Sequence, residues 1–264
     1  PFVAFSGSGL LLAYYHGVAI YLRDHFCLDN LRLSCVSGGC TTILGLALGI
    51  DPYKLMVTGL HAKKDMLANG LGGAYMLDFH TWHEKTIRYL VAMGITDDMV
   101  AALAEKGTCY IGVSRCFPVP RHHCVAMPPT VREAAALILC SMSTVPFFRT
   151  PGVFQGKFCV DGGCTAAWSV PEDQAWSEVI KVCPVPWYVS LPCPPFLGVA
   201  EIQPKRLMVA DAVVLRSWAH YRGLIRTGYA DAGQSHALLV SRGLRPLPSA
   251  PATPWEEWER LFES

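Results

Sequence analysis

Two short apolar segments, each followed by a glycine-rich turn and a helix-like segment, occupy the first fifty residues. Phe2–Phe5 leads into Ser6-Gly7-Ser8-Gly9, and residues 31–36 lead into Ser37-Gly38-Gly39. Short apolar runs bounded by glycine are typical of buried strands. Parallel strands need a crossover connection, which is usually helical. The order of these segments therefore predicts an α/β fold with a mostly parallel central sheet.

The rest of the chain continues the alternation, with more helix than strand. Helices are expected at residues 10–25, 40–48, 52–67, 79–93, 97–106, 131–141 and 206–240, the last broken at Gly223 or Gly228. Strands are expected at residues 108–114, 123–127 and 178–182, and a turn followed by a strand at residues 156–161. Thr130 and Glu133 have the spacing of a capping box. Residues 1–245 are predicted to form one domain, followed by a Pro-rich linker and a short amphipathic tail at residues 246–264.

Charge and cysteine content exclude several classes of protein. The chain has 264 residues, of which 22 are basic and 21 acidic, so no broad basic face for nucleic acid is expected. Eleven cysteines without a CxxC pair lie mostly in apolar runs, which favours reduced, buried thiols in the cytoplasm. No apolar run reaches the ~18 residues of a spanning helix. The chain is therefore expected to be soluble or peripheral on a membrane.

Ser37 is the first candidate catalytic residue. It lies between an apolar strand and a helix, which is where a nucleophile elbow places its serine. The usual G-x-S-x-G pattern is altered, because Cys35 stands at the first glycine, while Gly38 and Gly39 follow the serine. The alternative interpretation is a tight turn without chemistry.

Two further glycine turns complete the candidate site. The Gly7-Ser8-Gly9 loop lacks the lysine of a Walker A loop, and Leu12 stands where a dinucleotide fingerprint needs glycine. The remaining interpretations of this loop are an oxyanion hole and a plain turn without chemistry. Asp161, followed by Gly162 and Gly163, ends an apolar strand and can act as a base or form an ordinary Asp-Gly turn.

The histidines offer no third member of a triad and no metal site. None of the nine lies at a glycine-rich strand end. His80 and His83 share a predicted helix face and could reach His123 or Cys124, but no HExxH or spaced Cys/His set supports a metal. Neither a metal nor another cofactor is expected.

Taken in order, these motifs resemble the patatin-like phospholipase family, especially its neutral-lipid branch, to which adipose triglyceride lipase belongs. The resemblance runs through residues 5–18, 22–25, 36–39, 140–148, 160–163 and 226–232. It implies a three-layer α/β/α sandwich with a mostly parallel central sheet and a C-terminal helical extension. It also implies a Ser-Asp dyad in which Ser37 is the nucleophile and Asp161 the base, with Gly7, Ser8 and Gly9 as the oxyanion hole.

Several positions depart from the family's pattern. Cys35 and Leu12 replace glycines of the elbow and of the oxyanion loop, and Ala167 and Ser169 replace the Asn and Pro that follow the aspartate motif. Leu11 replaces a basic residue, a loss shared by the neutral-lipid branch. A catalytically degraded lipid- or protein-binding module is therefore the alternative to a hydrolase.

The resemblance implies an acyl lipid as substrate and a cytoplasmic protein peripheral on a membrane or lipid droplet, with a protein co-activator as a possible partner. Neutral acylglycerols are favoured, because the catalytic loop has no cation for a phosphate. Hydrolysis and transacylation would use the same dyad. Contact with lipid needs an exposed apolar edge, for which residues 147–148, 196–197 and 255–258 are candidates; internal packing of these residues is the favoured alternative. The acidic tail suits a neutral droplet better than an anionic membrane.

Overall fold

The central feature of the computed structural model, which describes residues 1–68, 77–144, 148–186, 200–205 and 217–249, is a seven-stranded sheet. Its strands are β1 (Phe2–Phe5), β2 (Arg32–Val36), β3 (Cys109–Arg115), β4 (Arg121–Ala126), β5 (Gly152–Phe154), β6 (Lys157–Asp161) and β7 (Val179–Val182). β7, β1, β2 and β3 pair in parallel, and the remaining three pairs are antiparallel. The α/β class and the largely parallel sheet are as predicted, whereas β5 is a strand that the sequence did not indicate.

One edge of β3 pairs first with β2 and then with β6, while the other edge pairs with β4. β4 pairs with β3 along Tyr110–Arg115 and so occupies one edge. On the other edge, β2 ends where Val36 pairs with Gly112, and β6 ends where Asp161 pairs with the next residue, Val113. Because β6 runs antiparallel to β3 and β2 parallel to it, the carboxyl ends of β2 and β6 meet head to head. The residues that end these two strands are thereby brought together.

Eight α-helices surround this sheet in the described residues. They are α1 (Leu12–His25), α2 (Cys40–Ala47), α3 (Pro52–Ala68), α4 (Phe79–Ala92), α5 (Asp97–Lys106), α6 (Val131–Met142), α7 (Trp218–Gln234) and α8 (His236–Ser241). α1, α2 and α6 pack with Val3, Phe5 and their neighbours on one face of the sheet. Ala167 and Trp168 pack with Phe2 and Ala4 on the other.

The helix ends follow the local signals with one difference. Gly107 ends α5 in the left-handed conformation, with φ +62°, as a C-terminal glycine does. At α6 the Thr130 hydroxyl accepts from the N–H of Glu133 at 3.2 Å and lies 2.9 Å from Oε2 of Glu133. The Glu133 carboxylate therefore bonds the Thr130 side chain, and the expected reciprocal bond to a backbone N–H is not the one observed.

α7 continues without a break through Gly223 and Gly228, so the predicted break at these residues is wrong. The helix is interrupted instead at Ser235, which separates α7 from α8. A Cβ at Gly228 would lie 2.0 Å from the carbonyl oxygen of Tyr14, and one at Gly17 would lie 1.9 Å from that of Ile225. These glycines let the backbones of α1 and α7 touch, which fastens the C-terminal helical extension to the domain. Residues 206–216 of the predicted helix lie outside the described ranges.

The cysteines and the candidate apolar edge can also be compared with their predictions. The ten cysteines in the described ranges are free thiols, and six of them are buried. Phe148 is buried against Leu77 and Trp82, so for this residue internal packing is observed and an exposed apolar edge is not. The other candidates for that edge, Phe147 and residues 196–197 and 255–258, lie outside the described ranges, as does most of the predicted tail. In the part of the chain that the structure describes, no helix has the length and apolar character to cross a membrane.

Candidate active site

Ser37 stands at the junction of β2 and the turn that opens α2. Its φ is +57°, and among the described residues only Gln155 is another non-glycine residue with a positive φ. The side chain is almost buried, and the next residues form a short 3₁₀ turn before α2 begins at Cys40. A left-handed residue between a strand and a helix is sterically unfavourable for any residue with a Cβ. This is the backbone geometry of a nucleophile elbow.

The side chain of Ser37 is hydrogen bonded to Asp161. Its hydroxyl donates to Oδ2 of Asp161 at 2.6 Å, although the two residues are 124 positions apart. The shared edge of β3 produces this contact, because Ser37 directly follows β2 and Asp161 ends β6. The described histidines make no hydrogen bond to either residue. His122, on β4, bonds Ser169 instead.

The Asp161 carboxylate is held from several sides. Its Oδ1 accepts from the backbone N–H of Gly163 at 2.8 Å, and its own carbonyl accepts from the Ser114 hydroxyl at 2.7 Å. Burial raises the pKa of Asp161 to about 6, although the hydrogen bonds from Ser37 and Gly163 act in the opposite direction. At neutral pH the carboxylate is therefore mostly ionised and able to accept a proton.

This pKa predicts the pH dependence of any reaction in which Asp161 is the base. Below about pH 6 the carboxyl group is protonated, so kcat/KM should fall about tenfold per unit of pH there and level off above it. The measurement is a pH profile with a soluble short-chain ester, whose solubility keeps lipid dispersion out of the readout. A rate that stays level through this range, down to the usual carboxyl pKa, would contradict the assignment.

The glycines of the motifs lie where side chains have no room. A Cβ at Gly38 would be 2.5 Å from the carbonyl oxygen of Gly9, and one at Gly162 would be 2.2 Å from that of Gly112. At Gly39 the nearest atoms, at 3.0 Å, belong to the ring of Tyr15. These glycines bring the elbow, the first loop and the aspartate turn into backbone contact.

The Gly7-Ser8-Gly9 loop leaves β1 and reaches the elbow from the other side. Gly9 has φ +51° and opens a 3₁₀ turn before α1. In the hydrogen bonds made between described residues, the backbone N–H groups of Gly7, Ser8 and Gly9 have no acceptor. Gly9 borders the same cavity as Ser37 and Gly38. The loop thus combines free donors with a position beside the serine, as an oxyanion hole requires.

The two departures from glycine are accommodated in different ways. Cys35 is fully buried in the core, with its Sγ 2.8 Å from Sγ of Cys40. Leu12 is the first residue of α1, three positions after Gly9, and its side chain borders the cavity. Neither side chain prevents the contact between Ser37 and Asp161.

Ser141 is a residue of the site that the sequence analysis did not assign. Its Oγ accepts from the backbone N–H of Ser37 at 2.8 Å and donates to the carbonyl of Gly112 at 2.6 Å. It therefore fixes the strained backbone of Ser37 to β3. The signal was present, since Ser141 belongs to the segment 140–148 that carries part of the family resemblance, but nothing local assigns it a partner.

A cavity opens at Ser37. It encloses about 1280 Å³, including the part open to solvent, and extends between α1, α2, α3, α4 and α6. The described residues lining it include Leu12, Leu55, Trp82 and Leu139, and none is Lys, Arg, Asp or Glu. His16 also lines it, but burial lowers its pKa to about 4, so its imidazole is neutral at pH 7. The described lining of the cavity is thus largely apolar and carries no charge at pH 7.

No metal centre is formed by the described residues, among which no group of three or more His, Cys, Asp or Glu side chains converges. His83 bonds the carbonyl of Arg132 on α6. His123 and Cys124 lie on β4. The site therefore consists of a serine, a carboxylate and backbone donors.

Comparison with known proteins identifies the fold. No model of a known protein family matches the chain, and no curated protein sequence matches it. Among solved structures, VipD from Legionella pneumophila is similar, with a TM-score of 0.61 at 12% sequence identity. The match covers 90% of this chain and 66% of the VipD chain, just under two thirds. VipD has the patatin-like fold, and this chain has the same α/β architecture.

Proposed function

We propose that the chain is a serine acyl hydrolase that cleaves lipid esters through a Ser37–Asp161 dyad. The observation that carries the proposal is the 2.6 Å hydrogen bond from Oγ of Ser37 to Oδ2 of Asp161, at the wall of an apolar cavity. The fold shared with VipD and the strained backbone of Ser37 support it. The alternative, a binding module that has lost catalysis, would not need a serine held in this conformation.

In the proposed reaction, Oγ of Ser37 attacks the ester carbonyl carbon while its proton moves to Oδ2 of Asp161. The carbonyl oxygen becomes an oxyanion facing the N–H groups of the Gly7-Ser8-Gly9 loop. The intermediate collapses, and the leaving alkoxide takes the proton from Asp161, which leaves an acyl-enzyme. Asp161 then removes a proton from water while the water oxygen attacks the acyl carbon. The bond between that carbon and Oγ of Ser37 breaks, the carboxylic acid leaves, and Oγ regains its proton from Asp161.

The lining of the cavity supports neutral acyl esters, such as acylglycerols, as the preferred class. An acyl chain is stabilised by apolar walls, and a phosphate would find no cation among the described residues that line the cavity. Burial keeps His16 neutral as well, so it adds no positive charge at pH 7. The assignment to neutral lipids rests on this absence of charge and on the sequence resemblance.

The proposal is tested with an alkyl fluorophosphonate, which labels only activated serines. We expect the wild-type chain to be labelled at Ser37, Ser37→Ala to lose the label, and Asp161→Asn to be labelled much more slowly. Ser241→Ala, which changes a serine at the end of α8, serves as the matched control and should be labelled like the wild type. A folded wild type without label would reject the hydrolase in favour of the binding module. Labelling followed by an acylglycerol and phospholipid screen would define the substrate.

A further inference from the structure

Two neighbouring hairpins extend beyond the end of the sheet at which Ser37 and Asp161 lie. The β3–β4 hairpin turns at residues 116–120, and the β5–β6 hairpin turns at Gln155 and Gly156. Asp161 lies level with Ser37, and Phe158 precedes it by three residues on the same strand. At about 3.4 Å per strand residue, Phe158 lies roughly 10 Å beyond the dyad. The N–H of Cys116 donates to the carbonyl of Phe158 at 3.0 Å, which joins the two hairpins.

The tips of these hairpins expose large apolar side chains. Phe117 is 79% exposed, Val119 58%, Phe158 55% and Val153 47%. These are four of the eight large apolar side chains that are exposed in the described ranges. Val153 and Phe158 are register partners across β5 and β6, so their side chains lie on the same face. Clustered exposed apolar groups indicate a surface that contacts a partner.

The same tips are positively charged. Residues 115–126 and 149–160 contain four Arg or Lys residues and no Asp or Glu. Of these cations, Arg115, Arg121 and Lys157 form no ion pair with the described carboxylates, whereas Arg149 lies near Asp78. Burial, and then the charges of Arg115 and Arg121, lower the pKa of His123. The patch therefore combines apolar side chains with unneutralised positive charge.

We infer that the two hairpin tips dock the protein on a lipid surface bearing anionic phospholipid head groups. The apolar side chains would enter the boundary between head groups and acyl chains, and the cations would contact the head groups. Because the tips extend past the end of the sheet that carries Ser37 and Asp161, docking there brings that end of the sheet toward the lipid. The inference deepens the proposed function by naming the surface on which the hydrolase works, but docking itself requires no catalysis.

The test is flotation of the full chain with vesicles of phosphatidylcholine alone, or with added phosphatidylserine. All proteins carry Ser37→Ala, so that no lipid is hydrolysed and failure of the proposed chemistry leaves the binding result intact. We expect binding to the anionic vesicles that weakens with salt, and much weaker binding to phosphatidylcholine. Lys157→Glu should weaken binding at least about fivefold. Phe117→Ser or Phe158→Ser should weaken it about tenfold.

Two variants at the other end of the sheet, where the parallel strands begin, serve as matched controls. Trp176→Ser removes a side chain that is 56% exposed just before β7, and Lys106→Glu reverses an exposed charge just before β3. Both should bind like the parent protein. The tip variants should have the same circular dichroism spectrum and the same midpoint of urea unfolding as the parent protein, which shows that they are folded without reference to catalysis.

Three results would overturn the inference: a folded chain that floats with neither vesicle, equal binding to both, or equal losses in tip and control variants. Dissociation of a dimer by Phe117→Ser, without vesicle binding, would assign the tips to a contact between copies of this chain instead.

Discussion

Asp161→Asn should lower kcat/KM for ester hydrolysis about 10⁴-fold, at the upper end of what a general base contributes. The asparagine has the same shape and can still accept from the N–H of Gly163, but it cannot remove the proton from Ser37. No described histidine bonds Ser37, so none is in place to substitute as base. The measurement is steady-state kinetics with a soluble ester. Asp98→Asn, at the exposed start of α5, should retain wild-type activity.

The same substitution should make the protein more stable. The pKa of Asp161 is about 6 in the folded chain against an ordinary value of 3.8, so the folded state binds the proton more tightly than the unfolded state. The ionised carboxylate therefore destabilises the fold above about pH 6, and this cost is relieved as the pH falls toward 4. Two units of pKa correspond to about 3 kcal/mol. Asp161→Asn removes this cost at neutral pH.

Urea unfolding of the wild type and Asp161→Asn, at about pH 7 and at about pH 4, measures this gain. The variant should be the more stable of the two at neutral pH, and the difference should shrink in acid. Loss of activity together with loss of stability would instead mean that Asp161 has a structural role, and an activity within tenfold of wild type would remove it from the reaction.

Gly38→Ala should lower kcat/KM about 10²- to 10³-fold, with a much smaller effect on folding. The new methyl group would lie 2.5 Å from the carbonyl oxygen of Gly9 and 2.6 Å from Oγ of Ser8. The loop that carries the free N–H groups must then move away from Ser37, which displaces the donors that stabilise the oxyanion. The loss should appear mainly in kcat, because the apolar side chains proposed to bind the acyl chain, such as Leu55, Trp82 and Leu139, are unchanged.

Gly223→Ala is the matched control for this substitution. Gly223 lies in α7, and a Cβ there meets no atom within 4 Å. Alanine is favoured over glycine inside a helix by about 0.5–1 kcal/mol, so this variant should be fully active and slightly more stable. If Gly38→Ala kept full activity, the loop at residues 7–9 could not be the oxyanion hole in the arrangement seen here.

The positions of most of the strands, helices and glycine turns could be predicted from the sequence alone. Apolar runs bounded by glycine placed β1, β2 and the helices after them within a residue or two, because strand and helix periodicity are local properties. The glycine motifs likewise marked Ser37 and Asp161 as candidates, since a sharp turn after a strand must be built from small residues.

The contacts between these strands, helices and turns could be seen only in the folded structure. Ser37 meets Asp161 because β2 and β6 share one edge of β3, and Ser141 reaches the Ser37 backbone from α6; neither contact has a local signature. Gly228 was expected as a helix break, and for Phe148 an exposed edge was the alternative to internal packing. A glycine that ends a helix and one that admits a neighbouring backbone look alike in sequence. Burial likewise depends on residues far along the chain, so Phe148 is covered by Leu77 and Trp82 whereas Phe117 and Phe158 are exposed.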